Sequence, residues 1–304
     1  MSALRCIRTF LTVCLLAGLS AVARPVAAAP PGLRPLALRI DFIDVGQGDA
    51  ALVTSPTGKT VLIDGGPANH AGALTAFLAT HLRGPVDLIL LSHRHEDHLG
   101  GLPAAVRQVG ARMFLDAPVA HAGPDYDRLM RELDARGIPA RQATRGRRID
   151  LGGGAVITLL GPPEPPITGS RSDVNANSVV ARLTYGAVSI LFAGDAESPT
   201  EKWLLASGQD LRADVLKVAH HGSRYASGMR FLHVVRPSVA VISAGAGNEY
   251  GHPARITLDR LARAGAAVYR TDLDGDVTVE TDGASVRVRT ARPHGPTAEA
   301  WAAP

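Results

Sequence analysis

Val86-Asp87-Leu88-Ile89-Leu90-Leu91-Ser92-His93-Arg94-His95-Glu96-Asp97-His98-Leu99-Gly100-Gly101 decides how this chain is read. The apolar run over 86–91 predicts a buried strand, and the polar half then leaves that strand at its C-terminal end. Open α/β folds place their ligand sites at that end. Three histidines and one aspartate fall within six positions, a mixture of imidazole and carboxylate that suits divalent transition metals. His93 and His95 are two apart, so on an extended segment they point the same way. Asp97 and His98 follow after a turn and can face a second ion. A polar surface turn accounts for one histidine but not for three in this pattern.

Other apolar runs end in the same manner. Residues 60–63 run into Asp64, 188–193 into Gly194-Asp195, 213–219 into His220-His221-Gly222-Ser223, and 238–243 into a loop that reaches Asn248-Glu249-Tyr250-Gly251-His252-Pro253. Along the chain, strands give way to mixed αβ units, and the order then repeats. This predicts two similar αβ halves, each supplying one sheet. The sheets pack face to face with helices outside, a four-layer αββα sandwich of the α/β class. The polar clusters then converge on one edge.

Asp195 has two carboxylate oxygens and can bridge two cations; a helix N-cap is its other reading. His220 and His221 are adjacent, and on an extended segment they point oppositely, so one ion takes one of them. The other is left to donate to substrate or leaving group. His252 is a further ligand, a proton donor or an orienting group. Asp64 reads as an acceptor that orients a ligand histidine, or as a loop cap. Ser223 and Arg224 contact an anionic substrate or simply lie at the surface. His70, His81, His121, His233 and His294 lack such settings and read as structural or surface residues. Asp97, His220, His221 and His252 are thus the candidates for catalysis, and the expected reaction is hydrolysis by a metal-activated water. A G-x-S-x-G elbow and a Walker A loop are both absent, which removes the serine-hydrolase and P-loop classes.

Arg5 and Arg8 precede an apolar run over 10–22, and Ala27-Ala28-Ala29 offers a small-residue cleavage site. Residues 1–29 therefore read as a secretory signal peptide, 30–36 as a linker, 37–290 as the hydrolase domain and 291–304 as a flexible tail. The expected location is periplasmic or extracellular, with an uncleaved N-terminal anchor as the alternative; the apolar run is short for a membrane span. Cys6 and Cys14 leave with the signal, so a metal site in the mature chain is built from His, Asp, Glu and Asn. Arg5, Arg8 and Arg24 leave too, and removing those three charges from the total of +4 leaves +1. That near-neutral remainder offers no footprint for tight DNA binding.

His93-x-His95-x-Asp97-His98 followed by Gly100-Gly101 resembles the metal motif of the metallo-β-lactamase superfamily. Further stretches are similar to the hydrolase domain of ComEC-type competence proteins: residues 42–50 (FIDVGQGDA), 62–66 (LIDGG), 177–180 (NSVV), 194–195 (GD), 216–223 (LKVAHHGS) and 250–253 (YGHP). The resemblance runs from about Leu38 to Thr290. It implies two divalent ions, Zn²⁺ or alternatively Mn²⁺. His93 and His95 would hold the first ion, Asp97 and His98 the second, and Asp195 both. One of His220 and His221 would complete the second site, with Asp64 supporting the loop. The superfamily often places another histidine between the first loop and the bridging aspartate; here that interval holds His121, in a poorly suited segment. Asp173, Asn175 or Asn177 would replace it. The resemblance also implies a phosphodiester substrate, small-molecule or nucleic acid. The alternatives are a β-lactam or lactone hydrolase, and a metal-binding surface-interaction protein with weak catalysis.

Overall fold

A computed structural model describes residues 37–118 and 123–293. The signal, linker and most of the tail expected from sequence, with His121 and His294, lie outside the described residues.

The first half opens with an antiparallel meander, β1 (Leu38–Phe42), β2 (Ala51–Thr54) and β3 (Thr60–Ile63). Then β4 (Leu88–Leu90), β5 (Phe114–Asp116) and β6 (Ala140–Gln142) add in parallel, with helices between them. The second half repeats the plan. It begins with antiparallel β7 (Arg148–Gly152), β8 (Ala155–Leu159), β9 (Ala181–Tyr185) and β10 (Val188–Phe192). Parallel β11 (Val215–Lys217), β12 (Val239–Ile242) and β13 (Ala267–Arg270) follow. The closing hairpin, β14 (Val277–Thr281) and β15 (Val286–Thr290), does not extend this second sheet. It crosses back, and β14 pairs antiparallel with β1. The sheets are thus β15-β14-β1-β2-β3-β4-β5-β6 and β13-β12-β11-β10-β9-β8-β7, so the halves are not fully separate.

Period-two alternation sorts the side chains into layers. Leu38, Ile40 and Phe42 of β1 and Leu88 and Leu90 of β4 point between the sheets, against Ile157, Leu183, Ile190 and Phe192. The Phe42 and Phe192 rings lie 6.0 Å apart at the centre of that layer. The opposite faces take helices. Leu62, Ile89 and Phe114 pack on Leu74, Leu78, Val106 and Leu129. Leu191, Leu216 and Ile242 pack on Leu204, Phe231, Leu232 and Leu261. A sheet covered on both faces needs no polar side, which is why β4 and β10 read as continuous apolar runs.

Five of the polar clusters singled out from the sequence leave a strand at its C-terminal end: Asp64 after β3, the 93–98 loop after β4, Asp195 after β10, His220 and His221 after β11, and the 245–253 loop after β12. Parallel neighbours bring those ends to one edge.

Candidate metal centre

Asp195 is the hub of this edge, and its two oxygens face different histidines. Oδ2 lies 3.7 Å from His93 Nε2 and 3.6 Å from His220 Nε2. Oδ1 lies 3.3 Å from His98 Nε2 and 3.8 Å from His221 Nε2. His95 Nδ1 stands 3.1 Å from His93 Nε2. Asp97 Oδ2 stands 3.1 Å from His221 Nε2 and 3.8 Å from His98 Nε2.

A carboxylate stands behind three of these rings. Asp64 Oδ2 accepts from His98 Nδ1 at 2.9 Å while both its oxygens accept from Ser92. Asp49 Oδ1 lies 3.1 Å from His221 Nδ1, which also meets the Ser243 carbonyl at 3.0 Å. Glu197 Oε1 lies 3.0 Å from His220 Nδ1. For His98 and His221 the hydrogen bond at Nδ1 sets the ring orientation and turns Nε2 toward the hub.

The hub itself is under-satisfied. Among the described residues, His98 Nε2, Asp195 Oδ1 and His220 Nδ1 are buried without a hydrogen-bond partner of acceptable geometry. Leaving such groups unpaired in the interior is costly. Nitrogen and oxygen donors 3.1–3.8 Å apart have the spacing of ligands that share a cation at about 2.0–2.2 Å from each. His93, His98 and Asp195 form one cluster within ligand reach, and Asp49, His98 and His221 form another. In the second, Asp49 Oδ2 already holds the buried Lys217 ammonium at 2.8 Å. A cation beside that ammonium would be repelled, so Asp49 supports His221 and is not a ligand. The remaining donor set fits divalent metal ions.

Electrostatics follow from the crowding. Burial pushes the Asp195 carboxyl up, but His98, His221 and His93 overcome it and hold it well below the usual range. Burial alone would lower His221, yet Asp195 and Asp49 lift it to about 10. His98 is likewise raised well above its ordinary value, against burial, by Asp195, Asp97 and Asp64. His93 goes the other way, lowered by burial and by His98. His252, half-buried, is lowered to about 4 by burial and by His221 and His220.

One local expectation fails. His220 and His221 are not on an extended segment; they sit in a 3₁₀ turn over Ala219–Gly222 with left-handed backbone, φ 51° at both. The alternation argument therefore does not apply, and both rings face the hub, each toward its own oxygen of Asp195. Left-handed backbone costs a non-glycine residue about 1–3 kcal/mol and concentrates at functional sites.

Of the donors considered for the missing histidine, Asp173 spends its carboxylate on Gly169 N, Ser170 N and Ser170 Oγ. Asn177 braces the same loop through Ile167 and the Asp173 carbonyl. Both sit around a one-turn helix, Asp173–Ala176, within a segment that reads as loop from sequence. Asn175 is buried there with an unpartnered Oδ1. His252 comes within 5.5 Å of the His220 ring and is steadied by Asn248. Ser223 is buried and binds Tyr225 N, so it does not line the opening. His81 stacks on Phe77, and His70 and His233 are exposed. The supports Asp49, Lys217 and Glu197 were not singled out from sequence; the buried-strand position of Lys217 was the available signal.

A profile of the metallo-β-lactamase superfamily matches residues 43–246. The chain belongs to this superfamily. Among curated relatives, ComE operon protein 3 of Bacillus subtilis is 27% identical over 255 residues, covering 78% of this chain but 32% of its own length. The chain thus spans about a third of that relative. A UPF0173 metal-dependent hydrolase of Cupriavidus taiwanensis is 31% identical over 189 residues, 60% of each chain. Among solved structures, CmlA, a diiron β-hydroxylase from Streptomyces venezuelae, matches with TM-score 0.53 at 18% identity, covering 80% of this chain and 54% of its own, a likeness of fold. In this metallo-β-lactamase fold the described residues include no helix long and apolar enough to cross a membrane.

Proposed function

We propose that this metal-dependent hydrolase of the metallo-β-lactamase superfamily is exported and cleaves phosphodiesters, with a nucleotide or nucleic-acid strand as substrate. The observation that carries the substrate class is the rim of the centre. Arg171 lies over the Tyr225 ring at 4.0 Å and pairs with Glu197, one step from His220. Tyr250 stacks beside His252, and both tyrosines are exposed. An arginine and two exposed aromatic faces beside the ligand cluster suit a phosphate that carries bases, since stacking on aromatics is how single strands are held without sequence readout. Likeness to competence proteins supports the same class, and the basic, apolar start of the chain supports export.

In this reading His93, His95 and Asp195 would hold one ion, and Asp97, His98, His221 and Asp195 the other. Two such ions, when bound, would lower the pKa of water and stabilise charge on the attacked group. The chain's own work is orientation. Asp64 and Asp49 aim His98 and His221, Asp195 would serve both ions, and Lys217 pins Asp49. His252, neutral at pH 7, presents a hydrogen-bonding imidazole to the bound substrate.

The full chain, loaded with Zn²⁺ or Mn²⁺, is expected to hydrolyse bis(p-nitrophenyl) phosphate and a single-stranded oligonucleotide. His95→Ala and chelator should each abolish both activities. Turnover of nitrocefin without phosphodiesterase activity would replace this reading with β-lactam hydrolysis.

A further inference from the structure

By the superfamily pattern the first ion lacks a histidine, and Asp173 and Asn177 are committed to their own loop. His220 reaches the same place from the opposite half of the fold. Its Nε2 lies 3.6 Å from Asp195 Oδ2, the oxygen that faces His93 at 3.7 Å. Two ligands bonded at about 2.0–2.2 Å to a tetrahedral ion stand about 3.4 Å apart, so each of the two histidines has the spacing of a co-ligand to that oxygen of Asp195. His221, next along the chain, goes to the other oxygen of Asp195 and to Asp97. The left-handed backbone at both positions lets adjacent residues serve neighbouring sites.

A carboxylate stands behind the His220 ring as behind the other two, in ion-pair contact but without a hydrogen bond of good geometry at Nδ1. Glu197 is 5% exposed, meets Nδ1 at 3.0 Å, and is itself gripped by Arg171 at 2.6 Å. This repeats the pairing of Asp64 with His98 and of Asp49 with His221. We propose that His220, oriented by Glu197, is a ligand of the ion held by His93 and His95, so that the histidine pair is divided between two ions by the two oxygens of Asp195. This rests on the two-ion reading above and adds which residue fills the first site.

The test counts ions. Metal content and affinity are measured by plasma mass spectrometry and calorimetry on the full chain, with circular dichroism to verify folding. Glycine is at ease at φ 51°, so His220→Gly removes the ring without straining the turn. His220→Gly is expected to weaken one of two ions, and the conservative Glu197→Gln the same ion by about 10–100-fold. The pairing of variants assigns it. His220→Gly with His93→Ala should keep one ion, whereas His220→Gly with His221→Gly should hold none tightly. The reverse pattern overturns the proposal. So does a His220→Gly chain that keeps both ions at native affinity while kcat falls most for poor leaving groups, which makes His220 a proton donor instead. A single ion in the native chain overturns it together with the two-ion reading. Two ions in the expected pattern without phosphodiester turnover would sink the substrate assignment and leave His220 as a ligand.

Discussion

Lys217 is 4% exposed, with its ammonium 2.8 Å from Asp49 and also donating to the Val218 carbonyl. Removing one partner of a buried ion pair strands the other charge, so Lys217→Met should cost about 3 kcal/mol, measured by urea denaturation, and should loosen His221 through Asp49. A second buried acid sets a pH dependence away from the metals. Burial raises Glu201 from 4.5 to about 7, only partly offset by the Gly228 and Ser227 amides. The folded state therefore keeps a proton that the unfolded chain has released across that window. Stability should fall by up to about 3 kcal/mol as pH rises from roughly 4.5 to 7, and Glu201→Gln should flatten that slope. In the centre, raised values at His98 and His221 mean that both rings carry protons at pH 7 before metal binds. Metal uptake should release a proton from each, seen as a buffer-dependent heat in calorimetry, and affinity should climb with pH. Uptake without proton release would contradict the assigned environment. At this scale the 93–98 loop was legible because its donors are neighbours in sequence. Asp49, Lys217 and Glu197 were not, because their roles exist only once distant strand ends meet.

The elements that carry the centre are short turns pressed against one another, and glycines permit the approach. A Cβ on Gly48 would lie 2.3 Å from the Asp97 carbonyl, and one on Gly101 would lie 2.1 Å from the Gly65 carbonyl. The Asp49 amide then donates to the Asp97 carbonyl at 3.1 Å, which locks the 46–49 turn to the metal loop. Gly48→Ala should force these turns apart, lowering the melting temperature by about 5 °C and weakening metal uptake, with calorimetry as the readout. Strand ends were readable from apolar runs that stop at polar clusters. The 219–222 turn was not, because two consecutive left-handed histidines have no signature in a pattern whose period presumes extended backbone. The helix over Asp173–Ala176 was hidden for a similar reason: a single turn is too short to show periodicity amid proline, glycine and serine.

Across the molecule, the repeated order of meander and αβ units foretold the sandwich, but the return of the last hairpin was not foretold. A strand's sequence shows that it alternates, not which neighbour it will pair with. Val277 and Val279 of β14 join Leu38, Ile40 and Phe42 in the layer between the sheets. A chain ended at Gly275 keeps every residue of the centre, yet it exposes the edge of β1 and unroofs that layer. It should fail to fold, with loss of near-ultraviolet circular dichroism and aggregation on purification. The pairing of β1 with β14 also bears on timing. During synthesis β1 therefore has no partner on one edge until residues 277–281 have been made. The order in which the chain is made thus leaves the pairing that roofs the layer between the sheets among the last contacts to form.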